Sequence, residues 1–214
     1  MPETNAMERS VSELVQLIEM DADNWSAYVD LIGALVLSNA LPEAEELGLK
    51  SLTLFADNPE AVDHLLYAVG NVYYTAGAYD RAQTFFDRIT LESLRLDAAL
   101  MQAQSLYGQG QYKKALAFAL TYTEKVPTDV DGHVLLGRVW LALNNLDTAK
   151  DMFDKALGLD ADHYGANFGR GVVAVSNGDA QHNEWLEKAK QLNPVQFKSD
   201  AEQLDGLLTV LGGN

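Results

Sequence analysis

The residues best able to ligate a metal or shuttle a proton are four histidines, His64, His133, His163 and His182. No two share the spacing that puts paired ligands on one helix face. They fall near expected helix starts and turns, where capping or solvation accounts for them. The chain has no cysteine, so thiolate nucleophiles, disulfides and Cys-based zinc sites are excluded together. The stretch GRGVVAVSNGD, Gly169 to Asp179, is glycine-rich. It lacks the dinucleotide fingerprint and lies within a helical pattern rather than after a strand. No phosphate-binding loop and no nucleophile elbow occurs. Carboxylates are abundant, and a solvated acidic face explains them better than an acid–base pair. The expectation is a protein with no catalytic residues, no metal and no cofactor.

The elements that organise these residues repeat. In GNVYYTAGAYDRAQTFFDRI, Gly70 to Ile89, small and aromatic residues alternate at fixed separations. The stretch from Leu135 to Asp160 carries the same pattern: Gly70 falls on Gly137, Tyr73 on Trp140, Ala82 on Ala149 and Phe86 on Phe153, each 67 residues on. A weaker copy between them has Ala103, Leu106, Gly110, Tyr112 and Ala115. A period near 34 residues signals a stacked array of supersecondary units.

Within each copy apolar residues recur at three and four, the helix signature. Leu66, Val69 and Tyr73 line one helix, and Ala82, Phe85, Phe86 and Ile89 line the next. Gly70 and Ala82 let the two backbones approach, while Tyr73 and Phe86 fill the space beside them. A helical glycine costs roughly 1 kcal/mol against alanine, so its return at Gly137 and Gly171 implies a packing role. Gly77, Gly110, Gly178, Asn39 and the pair Asn144–Asn145 stand where a turn needs a left-handed residue.

This pattern resembles the tetratricopeptide repeat family. Residues 130–163 match it with Leu136, Gly137, Trp140, Ala149, Phe153 and Ala156, and residues 63–95 with Gly70, Tyr73, Gly77, Tyr79, Ala82 and Phe86. Residues 96–129 keep Gly110, Tyr112, Ala115 and Pro127, residues 25–58 keep Leu31 and Ala44, and residues 164–196 keep Gly171, Gly178, Ala189 and Pro194. The resemblance implies an all-α fold: an α-solenoid, a right-handed superhelix of about five helix-turn-helix repeats. Residues 1–24 are expected to form an N-terminal capping helix with a stripe of Val11, Leu14, Val15 and Ile18. Residues 197–214 are expected to form a C-terminal one, starting at Ser199 and carrying Leu204, Leu207, Leu208 and Leu211. That last helix either caps the stack or folds back into the groove.

The resemblance also implies that the first helix of each pair lines a concave groove. Its candidate peptide-binding residues are Tyr67, Asn71, Tyr74, Gln104, Tyr107 and Arg138, whose polar groups need water or a partner. Met101, Val134, Leu141, Phe168 and Val172 lie in the same rows, and Met101, Val134, Leu141 and Val172 are expected to pack between helices. The family's peptide-carboxylate clamp is not expected, because its basic positions hold His64, Tyr67, Asp97 and Asp131. The two aspartates suit a first helical turn, or a Lys or Arg of a partner.

The net charge is −16, and residues 1–63 carry 13 acidic against 2 basic side chains. That field opposes nucleic-acid binding and favours a basic partner. The start, MPETNAMERSVSELVQLIEM, places acids where a signal peptide needs positive charge. The longest apolar runs, Leu31–Leu37 and Gly171–Val175, are too short to insert in a membrane. A cytoplasmic scaffold that binds a protein or peptide, basic or apolar, is therefore expected. The residues leave open a self-associating module, as a homodimer, and a chaperone-like factor for an apolar client segment.

Overall fold

The computed structural model describes residues 10–178 and 183–202. It forms two compact units, Met1–Gln111 and Tyr112–Asn214. The described part of the first holds α1 (Val11–Met20), α2 (Trp25–Leu37), α3 (Leu41–Leu54), α4 (Pro59–Thr75), α5 (Tyr79–Phe86) and α6 (Glu92–Gly108). The second holds α7 (Tyr112–Lys125), α8 (Val130–Ala142), α9 (Leu146–Leu159), α10 (Tyr164–Ser176), α11 (Glu184–Leu192) and α12 (194–202). No strand occurs among the described residues. Within each unit, successive helices pack as hairpins, and alternate helices also touch: α2 meets α4, α4 meets α6, and α8 meets α10. The fold class is all-α, of the α-solenoid type.

Short polar residues start several of the helices. Asn24, Asn58, Asp129, Asn145 and Asn183 each accept a backbone N–H of the first turn, at Ala27, Ala61, Gly132, Thr148 and Leu186. Such a cap is worth about 1 kcal/mol. The helix ends are equally regular. Asn39, Gly77, Gly110, Asn144 and Gly178 all have positive φ, between 59° and 90°. After four of them the next N–H reaches back to close the helix: Ala40 to Leu35 O, Ala78 to Tyr73 O, Gln111 to Leu106 O and Asn145 to Trp140 O, at 2.8 to 2.9 Å. This six-to-one bond satisfies a carbonyl that the helix leaves orphaned.

The spaced glycines inside helices are contact sites. A Cβ on Gly70 would lie 2.4 Å from the Phe86 ring, and one on Gly171 would lie 2.6 Å from Leu186. The rings of Phe86 and Phe153 are almost wholly buried. Ala82 and Ala149, on the same faces as these rings, are fully buried.

Three details differ from the sequence expectations. In α1 the exposed residues include Val11 and Val15, and burial falls on Leu14 with Leu17 and Ile18 partly covered. The helix rests on α2 by a narrower stripe than the apolar pattern suggests. The last helix starts at 194, before Ser199, because Asn193 caps it: Gln196 N donates to Asn193 Oδ1 at 3.0 Å, and Pro194 suits the first turn. Leu204, Leu207, Leu208 and Leu211 lie outside the described residues. Asp97 is not in a first turn, since α6 already begins at Glu92.

Candidate binding surface

In the first unit Tyr67, Asn71 and Tyr74 lie on one face of α4, at the i, i+4, i+7 spacing that aligns side chains. Gln104 and Tyr107 lie on α6, which packs against α4. All five are half-buried. Tyr67 and Tyr74 lean on the core as well: their rings stand 5.9 Å from Phe86 and 5.6 Å from Tyr79. Met101 also packs against that core.

The polar ends of this face are set by neighbours. Burial pushes the Tyr67 phenol above its ordinary range, and the Asp97 carboxylate adds to the rise. A hydrogen bond with Asn71 pulls the other way. Asp97 is therefore close enough to act on Tyr67 across the α4–α6 contact. The Asn71 Oδ1 atom is enclosed with no hydrogen-bond partner among the described residues, an acceptor that costs free energy until something donates to it. His64 packs against Trp25 with the rings tilted and their centroids 5.0 Å apart.

Arg138, the remaining candidate, lies on α8 in the second unit and is exposed. Its Nη2 atom would stand 3.1 Å from a Cβ on Gly165, and its charge reaches Tyr164. Tyr164 donates to Asp200 at 2.8 Å. Burial, and then this bond, push the Tyr164 phenol far above its usual range. Val134 and Val172 are buried and Leu141 packs on the core, as expected of interhelical residues. Phe168 is not open groove. It stacks on Tyr164 and meets Phe197 of α12 edge-on at 5.9 Å. Its counterpart Val134 meets the start of α10 at Gly165 in the same way. The described part of the last helix therefore packs on α10.

Two of the histidines make structural contacts. His163 caps α10, its Nδ1 accepting Ala166 N–H at 3.2 Å, so Nε2 carries the proton and faces Asp131 at 3.2 Å. His133 is buried, with Nε2 2.9 Å from Pro127 O. His182 lies outside the described residues. No cluster of metal-ligating side chains occurs among the described residues, and no described helix is long and apolar enough to cross a membrane.

Sequence reasoning missed Asp63. It is buried, and its carboxylate accepts from Thr90 N, Thr90 Oγ1 and Leu91 N at 3.1, 2.9 and 2.7 Å. It thereby ties the start of α4 to the turn that opens α6. The signal was available only in hindsight, as an acidic residue on a face otherwise apolar.

Comparison with known proteins agrees with this architecture. A family model described as "Tetratricopeptide repeat" matches residues 134–196. One described as "Anaphase-promoting complex, cyclosome, subunit 3" matches residues 76–156. The chain is 26% identical over 118 residues to the cytochrome c-type biogenesis protein CcmH of Escherichia coli K12, and equally to that of Shigella flexneri. The aligned part is 55% of this chain and 34% of the relative, so the chain spans about a third of the length of the curated proteins it matches. Among solved structures it is similar to YrrB, described as a TPR protein with an unusual peptide-binding site. That match has TM-score 0.62 and 23% identity, over 91% of this chain and 100% of that one. It is also similar to MamA from Desulfovibrio magneticus RS-1, with TM-score 0.66 and 23% identity over 81% and 97%. A third is BtubC from P. vanneervenii, with TM-score 0.68 and 16% identity over 88% of each chain. These structural likenesses show the fold.

Proposed function

The chain is a tetratricopeptide-repeat protein, and from that premise we propose that it is a non-catalytic scaffold whose α4–α6 face binds a peptide segment of another protein. The observation that carries this reading is the Asn71 carbonyl. It is an enclosed acceptor without a donor among the described residues, between Tyr67 and the row that continues at Gln104 and Tyr107. If the Asn71 side chain turns outward, a peptide N–H brought to that face would supply the missing donor, and the half-buried phenol rings would lose water against it. Aromatic anchors of this kind commonly contribute about 2 kcal/mol or more each.

The partner segment is basic. Residues 1–111 hold 17 acidic and 5 basic side chains, and Asp97 stands beside Tyr67 on the proposed face. Arg138, in the other unit, is a separate candidate contact on α8. The test is affinity capture from the native host, with wild type and the Tyr74→Ala/Tyr107→Ala variant side by side. Retained helicity with loss of the captured protein supports the reading. Equal capture by both rejects it.

A second reading is favoured by the CcmH similarity. That relative's name places it in cytochrome c-type biogenesis, and a scaffold of this fold could hold an unfolded client during maturation. The captured protein decides: a client recovered unfolded and otherwise insoluble supports this reading over a folded, stable partner.

A further inference from the structure

Away from the α4–α6 face, the second unit has a cleft of about 730 Å³ formed by α9, α10 and α11. Its volume lies within the range of ordinary ligand sites. Leu157, Ala161 and Trp185 supply its apolar lining, and Glu184 and Glu187 supply carboxylates. The cations nearby are already engaged. Lys188 pairs with Asp162 at 2.6 Å. Arg170 pairs with Asp154 at 2.8 Å and lies over the Trp185 ring at 4.0 Å. Among the described residues no ion pair engages the two glutamates, which stand in the first turn of α11.

A second, independent feature is Asn167. Its side chain also lines the cleft, although the residue is only 3% exposed. Its Nδ2 donates to both Ala161 O and His163 O, each at 3.0 Å. Two carbonyl acceptors fix the orientation of the amide. Its Oδ1 has no donor among the described residues. An amide fixed by its own two hydrogen bonds, beside two carboxylates and an indole, selects one kind of occupant. That occupant must donate hydrogen bonds, carry positive charge and bring an apolar stem, as an arginine side chain does.

We propose that the α9–α11 cleft is a second binding site, which takes an arginine side chain of a basic peptide segment, the guanidinium on Asn167, Glu184 and Glu187 and the stem against Trp185. The site is separate from the α4–α6 face and does not depend on it. The probe is a fluorescein-labelled peptide alternating arginine and alanine, titrated with the full chain and followed by anisotropy. Wild type is expected to saturate. The Glu184→Gln/Glu187→Gln variant should bind about tenfold or more weakly. The Glu124→Gln/Asp147→Asn variant removes the same charge elsewhere in the unit and should bind as wild type. Tyr74→Ala/Tyr107→Ala leaves the cleft intact and should keep saturable binding that Glu184→Gln/Glu187→Gln, added to it, still weakens. Circular dichroism confirms that each variant is folded. The proposal is overturned by an unsaturable wild type, by an equal loss in both charge variants, or by a loss confined to the Tyr74/Tyr107 variant.

Discussion

The Phe153 ring occupies the space that a side chain at Gly137 would need: a Cβ there would stand 2.8 Å from the ring. From the other side Gly169 closes on the same ring, its missing Cβ only 2.3 Å away. One fully buried phenylalanine of α9 is therefore seated between glycines of α8 and α10.

Gly137→Ala should consequently destabilise the protein, although alanine is the better helix former. The gain of roughly 1 kcal/mol in propensity is set against an overpacking cost of about 1–3 kcal/mol, since the ring has no free side to move toward. Gly158→Ala is the control. It lies inside α9 with nothing within 4 Å of its missing Cβ, and should stabilise by about 0.5–1 kcal/mol. Urea denaturation of the two variants gives both signs.

Asp63→Ala should cost about 2–3 kcal/mol, because it leaves the amides of Thr90 and Leu91 without their acceptor. Asp63→Asn keeps one acceptor oxygen and should lose less. Denaturant midpoints, with amide exchange at Thr90 and Leu91, check the order.

Alkaline pH should weaken the fold through its tyrosines. Burial raises the phenols of Tyr67, Tyr73 and Tyr164, and neighbouring carboxylates at Asp97, Glu45 and Asp200 add to it. A raised folded value means that the folded state holds the proton longer than the unfolded one. Stability is intact below the ordinary tyrosine value of about 10 and falls as pH rises above it. Tyr164→Phe should flatten that fall relative to wild type in melts taken between about pH 9 and 11. An unchanged slope would dismiss the Tyr164–Asp200 pair as its source.

The helix pairs and their turns were legible because they depend on local rules. A left-handed residue at Asn39 or Gly77 and a side chain that must be absent at Gly70 leave marks at fixed spacing. The role of Asp63 was not legible, since its partners lie 27 and 28 positions away and no short-range pattern announces them. The cleft at Trp185 was hidden for the same reason. Asn167 and Glu184 belong to different helices, and only the packing of α10 on α11 brings them to one cavity. Phe168 reads in sequence as a groove residue, and the start of α12 covers it instead.

The central claim, that the α4–α6 face receives a peptide, is tested most directly by amide hydrogen exchange of the chain alone and with its captured partner. Slowed exchange across residues 64–75 and 97–108, with α3 and α5 little changed, is the predicted result. Protection confined to α3 and α5, with those two segments exchanging as in the free protein, would contradict it.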